Sequence, residues 1–458
     1  MMTQDAKAAA PPGWLEKISY GSGDFGFNLY WTTISAFLLI FYTDSFGLSA
    51  AAAGTMLLVT KIVDAFADPI MGGIADRTRT KWGRFRPWLL WGAVPLAASG
   101  VLTFTTPHLD STAKLIYAYI TFTLMMVIYS VANIPYGALS GVISNDPQAR
   151  TQINSFRFVG GFLGGFFTTY LTPYLVKYLA GQFGGGNEVV GWQLTMALYG
   201  LITCLLFFNM FKRTRERVQP LAQRSESPLK DIADLSRNRP WMIMFALSLV
   251  VMITISTRLG ASAYYLKYVT NRPDLVPYFI PSYLISLMVG SLITPFLTRL
   301  IDKRRLLLIL MCLVGVLCVA FYFVPKDQIG AVFTLNILIG LCLGPKSPLT
   351  FSMYADSADF NEYRTGRRAT AMTFAAATFS QKLGGALASY IIGLVLAGLG
   401  YAANQVQSDA SQNGIVLLMS VVPGTIALIA AVLMCFYNLN DARLAEVQAA
   451  LAERKSQS

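Results

Sequence analysis

The sequence predicts an all-α membrane protein of about twelve transmembrane helices in two six-helix halves. Two features predict it. Only 13% of the 458 residues are charged and 54% are hydrophobic, whereas a soluble protein carries about 25% charged residues. Apolar runs of about 20 residues, long enough to span a bilayer, also recur along the whole chain, and nothing between them is large enough for a soluble domain.

In order, the runs lie at Ser19–Tyr42, Ala51–Ala75, Pro87–Thr106, Ala113–Gly137, Phe156–Leu179 and Trp192–Phe211. They form a first bundle over 19–211, behind a polar segment at 1–18 that lacks the basic start and short apolar core of a signal peptide. A polar linker covers 212–239. The second bundle, 240–438, holds Trp241–Val269, Tyr278–Leu300, Leu306–Val324, Ile329–Tyr354, Ala371–Leu399 and Ile415–Phe436. The terminal segment 439–458 contains an amphipathic helix, Asp441–Arg454.

Basic residues alternate between loops. Arg77, Arg79, Lys81, Arg84 and Arg86 follow the second run, and Lys212, Arg213, Arg215, Arg217, Arg224, Lys230, Arg237 and Arg239 fill the linker. Lys303, Arg304 and Arg305 follow the eighth run, and Arg364, Arg367 and Arg368 the tenth. By the positive-inside rule both termini and the linker are cytoplasmic, and an error of one span would destroy the pattern. The same bias explains the net charge of +12. No basic patch with interleaved aromatics stands apart from the runs, so no nucleic-acid partner is expected. The five cysteines, Cys204, Cys312, Cys318, Cys342 and Cys435, all sit in apolar stretches without metal-ligand or disulfide spacing and read as packing residues. Asp76–Arg86 and Asp302–Arg305 occupy matching places after the second run of each half. That repeat is the layout of the major facilitator architecture, whose substrate binds near the midplane.

A charge at the centre of a spanning helix costs at least ~2.5–3.5 kcal/mol, so each needs a reason. The second run contains Lys61, Asp64 and Asp68. The two aspartates, four apart, share a helix face with Lys61 one turn before. Such a pair can share a proton or hold a small cation. In the alternative, Lys61 and Asp64 simply pair while Asp68 caps toward the basic loop. Further polar positions are Asp24, Asn28, Asn133, Arg157, Arg258 and Lys382. Arg157 is either an interface anchor or a site residue. Lys382 lies about 16 Å into its run at 1.5 Å per residue, which is mid-membrane. Pro135 would kink the fourth run beside Asn133. The glycines around Gly160–Gly164 and at Gly384-Gly385 permit close helix approach. Catalytic motifs are missing. Gly344-Pro-Lys-Ser347 resembles the end of a phosphate loop without its glycine spacing, and the one histidine, His108, cannot build a histidine metal cluster. Neither an enzyme nor a cofactor is expected.

At these residues the chain resembles the glycoside–pentoside–hexuronide:cation symporter family, over nearly its whole length. The resemblance is carried by Tyr20-Gly-Ser-Gly-Asp24, Phe41-Tyr-Thr-Asp44, Asp64-Ala-Phe-Ala-Asp68-Pro-Ile-Met-Gly72 and Arg77 to Pro87. Asn133-Ile-Pro-Tyr136, Ala355-Asp356 with Gly366, and Lys382 with its glycines complete it. The first and fourth runs look closer to the xyloside and glucuronide branches than to the melibiose-type members. The resemblance implies that Asp64 and Asp68 are the cation-site carboxylates. It also implies that Asn28 and Asn133 stand where melibiose-type members grip sugar hydroxyls with aspartates. Arg157 matches an arginine of the sugar site, and Lys382 a lysine that links the two sites. The amides point to a different sugar and would not repel a hexuronate, which Arg157, Arg258 or Lys382 could bind. Gly137 replaces a stacking aromatic, which disfavours α-galactosides.

The coupling ion is H⁺ or Na⁺. Na⁺ takes several oxygens, yet Ala67 between the aspartates offers none and Ser130, one turn before Asn133, offers one hydroxyl. A proton needs only a carboxylate of raised pKa, so H⁺ is favoured, with Na⁺ possible at Asp64 and Asp68. The expected protein is therefore a symporter of the bacterial inner membrane, importing a sugar with a cation by alternating access. An uncoupled facilitator of the same fold or a membrane sugar sensor are the alternatives. The expected partners are a small sugar or glycoside, the cation and the lipid bilayer.

Overall fold

A computed structural model describes residues 12–144, 147–217, 235–365, 370–439, 443–447, 449–450 and 453. The described chain is helical almost throughout, because apolar backbone in lipid must satisfy its own hydrogen bonds. In order come α1 (Trp14–Ile40), α2 (Ala50–Arg77), α3 (Arg86–Thr103), α4 (Ser111–Ile143), α5 (Pro147–Phe183) and α6 (Glu188–Arg213). After the linker come α7 (Arg239–Tyr264), α8 (Val276–Leu300), α9 (Lys303–Tyr322), α10 (Ile329–Leu343), α11 (Lys346–Thr365), α12 (Thr370–Gly398), α13 (Asp409–Met419) and α14 (Val421–Cys435). Polar caps start several of them: Asp110 accepts from the amides of Thr112 and Ala113, and Asp302 from those of Arg304 and Arg305, each meeting orphan donors of a first turn.

Among the described residues, ten helical segments are long and apolar enough to cross a membrane. The third and fifth expected runs form α3 and α5, which are not apolar enough for that standard: the 18 residues of α3 include Arg86, Pro87 and Pro95, and α5 interleaves its apolar residues with glycine, threonine, tyrosine and proline. Of the expected C-terminal helix, 443–447 and 449–450 are helical, and the rest, Asp441 included, lies largely outside the described residues, as does most of the linker.

The structure departs from smooth runs in two places. The tenth run is two helices, α10 and α11, parted at Gly344-Pro345, since proline lacks the amide and crowds the preceding turn. The twelfth run breaks at Ser420, whose backbone (φ −127°, ψ −91°) is not helical. Wider π-turns also end α1 (Phe41–Ser45) and α7 (Tyr265–Val269), the first helix of each half.

Two compact units emerge. One comprises 1–34 and 60–223, the other 35–59 and 224–458. Residues 35–59, the end of α1 and start of α2, thus group with the second unit rather than with the first bundle. The physical reason is Asp44. Its carboxylate accepts from Lys267 Nζ at 2.6 Å, from the hydroxyls of Tyr268 and Tyr401, and from Thr43 Oγ1 at 2.8 Å. Asn404 Nδ2 donates to the Asp44 carbonyl at 2.6 Å, and Gly54 packs on the bare backbone of Gly393. The core of this second unit runs through Met244, Leu247 and Val251 of α7, Leu307, Met311 and Val314 of α9, and Ala427, Ala430 and Met434 of α14.

In the first unit the chain beyond α6 is strapped down at its loop end. Glu216 accepts from the amides of Arg84, Phe85 and Arg86 at 2.8, 2.8 and 3.0 Å, and Arg217 forks onto Glu16 at 2.8 Å. Both units present large apolar side chains outward, among them Phe66 and Val94 of the first and Leu292 and Phe323 of the second, each at least 67% exposed. Such faces suit lipid.

Candidate functional site

The first unit gathers most of the expected site residues. α1 and α5 meet through glycines: a Cβ at Gly160 would strike the Gly21 carbonyl, and one at Gly161 would strike Asp24 Oδ2 and Asn28 Nδ2. The close approach lets bare backbone of α5 lie against these two polar side chains of α1. It also brings Arg157 of α5 to Asp24, with Nε donating to Oδ1 at 3.3 Å. The guanidinium lies over the Tyr136 ring, 5.1 Å from its centroid. Tyr136 stacks on Tyr20 at 4.7 Å, and each hydroxyl donates to the other residue's backbone carbonyl at 3.0 Å. Asn28 is held by its own helix, Nδ2 donating to the Asp24 carbonyl at 3.0 Å.

The carboxylate pair sits on α2. Asp64 is buried (1% exposed), and Ser130 Oγ of α4 donates to its Oδ1 at 2.6 Å. Asp68 follows one turn later and is half-buried. The Lys61 ammonium lies over the Trp31 ring at 5.6 Å. Trp31 adjoins Tyr129 at 6.2 Å, and Phe27 touches both Tyr129 and Tyr136. α4 therefore joins two clusters. Ser130 reaches Asp64, the neighbouring Tyr129 reaches Phe27 and Trp31, half-buried Asn133 lies one turn on, and Tyr136 lies under Arg157. Chemically, one cluster can bind a proton or small cation, and the other offers amide, guanidinium, carboxylate and aromatic faces suited to a polyhydroxylated ring.

Arg258 and Lys382 are in the second unit. The Arg258 guanidinium is buried; it donates to the Met419 carbonyl, at the break between α13 and α14, and to Asn336 Oδ1 at 3.0 Å. Phe321 lies 5.2 Å from it. It thereby serves a carbonyl left by a broken helix. Lys382 is buried in α12, whose Gly384 lies against the α7 backbone at Leu249.

The expected site omitted Asp24, the carboxylate that holds Arg157. Its signal was present, since it precedes Asn28 by four residues and shares its helix face. Trp31 and Tyr129 were missed because aromatic residues in an apolar run look like any others.

Residues 19–441 match the MFS/sugar transport protein family. The chain belongs to that family. It is a multi-pass membrane transporter, and the resemblance to the glycoside–pentoside–hexuronide symporters holds. The chain is 35% identical to the inner membrane symporter YicJ of Escherichia coli (strain K12), over 96% of this chain and 95% of that protein. It is 33% identical to the isoprimeverose transporter of Lactiplantibacillus pentosus, over 93% of this chain and 89% of the relative. The inward-open xylose transporter XylE from E. coli superposes with a TM-score of 0.66 at 12% identity, covering 95% of this chain and 98% of that one, a likeness of fold alone.

Proposed function

We propose that this protein is a cation-coupled sugar symporter of the bacterial inner membrane, with twelve spans, cytoplasmic termini and an alternating-access cycle. The observation that carries the reading is the sharing of α4 by the two clusters: Ser130 holds Asp64 at 2.6 Å, while Tyr136, two turns on, lies under Arg157. A change of proton or cation load at Asp64 and Asp68 is thereby transmitted along one helix to the residues that would bind sugar. By linkage, sugar then raises cation affinity by the same factor. YicJ is named an inner membrane symporter and the L. pentosus relative an isoprimeverose transporter, which supports symport of a small glycoside. Asn28 and Asn133 would take sugar hydroxyls beside Arg157 in the first unit, and Lys382 is a further candidate polar group. H⁺ is favoured as the coupling ion over Na⁺, because Ala67 between the two aspartates offers no side-chain oxygen and a proton needs only a carboxylate of raised pKa.

Uptake of isoprimeverose into proteoliposomes tests this. Wild type should accumulate sugar above equilibrium under an inward proton gradient, and Asp68→Asn should only equilibrate it. Accumulation indifferent to proton and sodium gradients in both proteins would overturn coupling and leave a facilitator.

A further inference from the structure

On the outward face of α5, in the first unit, Leu171, Tyr174, Leu175, Lys177 and Tyr178 line a groove of about 500 Å³. That size suits a small ligand. The face is aromatic turn after turn. Phe166 stacks on Tyr170 at 6.0 Å, Tyr170 meets Tyr174 at 5.6 Å, and Tyr178 follows one turn on. Tyr174 is 43% and Tyr178 62% exposed, so the groove opens outward rather than into the bundle. Lys177 is exposed beside them and pairs with no carboxylate among the described residues.

Depth along the helix indicates what occupies it. α5 has 37 residues, about 55 Å at 1.5 Å per residue, and so overreaches a hydrocarbon core of about 30 Å. Centred in that core, it carries Leu171 about 9 Å and Lys177 about 18 Å from the midplane, on either side of the boundary near ~15 Å. The groove thus runs from acyl-chain depth at its leucines to headgroup depth at Lys177 and Tyr178, where lysine and tyrosine are favoured. Leucine side chains suit an acyl chain, and an ammonium beside tyrosine hydroxyls suits a phosphodiester. A zwitterionic lipid brings its own ammonium against Lys177, whereas an anionic lipid leaves its phosphate charge for Lys177 to meet. A second copy of the chain is the poorer occupant, because five residues of one helix fall far short of an interface of about 1,200 Å². We infer that this groove is a site for one anionic phospholipid, with its phosphate on Lys177 and the tyrosines and a chain against Leu171 and Leu175. The inference takes α5 as a span, as proposed above, and depends on neither the sugar nor the cation.

A phosphatidylglycerol carrying a photoreactive diazirine in its acyl chain tests the site on the purified full-length protein. Photolysis followed by peptide mass spectrometry should place the label within residues 166–183. Unlabelled phosphatidylglycerol should displace it at about fivefold lower concentration than phosphatidylethanolamine of the same chains, the worth of one basic residue at an anionic surface. Lys177→Gln should remove that difference, and Lys177→Arg should keep it because the charge stays. Lys326→Gln, the same charge change at an exposed loop lysine, should leave it intact. Equal displacement by the two lipids, or a preference that survives Lys177→Gln, overturns the anionic site while leaving α5 a span. Cross-linking of this segment to a second copy gives the face to a dimer and overturns the site as well. Label absent from the segment overturns it too, and counts against α5 as a span. The wild-type displacement decides even where a variant fails to fold.

Discussion

Asp44 and Asp24 are both carboxylates placed along α1 and its continuation, yet they live differently. Asp44 in the second unit has a side chain 4% exposed and collects Lys267, two tyrosine hydroxyls and Thr43. Asp24 in the first unit is 15% exposed and takes one long bond, 3.3 Å, from Arg157. A carboxylate offers about four lone-pair sites. Those of Asp44 are filled, so it works as a bolt that fastens 35–59 to the second unit. Asp24 keeps open acceptor sites beside its arginine, so under the proposed function it would be free to take a sugar hydroxyl as well. The number of donors on a buried carboxylate thus separates a fastening from a binding group.

Substitutions can break that contrast. The largest effect is expected from Asp44→Asn, which strands Lys267 without its anion. It should destabilise the protein by about 3 kcal/mol, near the low end for a broken buried pair, read as a lowered melting temperature with sugar affinity changed less than about threefold. A large loss of affinity at unchanged melting temperature would make Asp44 a binding group and erase the distinction. Arg157→Gln should do the opposite. Uptake kcat/KM should fall about ten- to hundredfold, the worth of a hydrogen bond to a charged group, with little change in melting temperature. Tyr401→Phe sharpens the comparison most gently, removing one donor from Asp44 at about 1 kcal/mol and leaving uptake intact.

The sequence already showed most of the helices and the first-unit site, for one reason. An ionisable residue in an apolar run is conspicuous without any structure, so Asp64, Asp68, Asn28 and Arg157 stood out. Pairings across the chain did not. Asp24 and Arg157 are 133 positions apart, and no local pattern records which carboxylate an arginine will meet. The grouping of 35–59 with the second unit was hidden for the same reason, because it depends on Tyr268 and Tyr401 converging on Asp44. Lys346 was visible inside Gly344-Pro-Lys-Ser347, but as a failed phosphate loop. Its burial and the helix interruption before it are what hydropathy smooths over in one long run.

The π-turns at Phe41–Ser45 and Tyr265–Val269 bear on the ancestry and engineering of the chain. A π-turn is an α-helix holding one residue too many, and one residue is about 100° of rotation at 3.6 residues per turn. Both halves carry the surplus at the end of their opening helix, as a duplicated piece would. Everything beyond each turn is rotated by about that angle from where a straight helix would leave it. Deleting a single residue within either turn would therefore let it close as a regular α-helix, with the following connection left facing its present contacts.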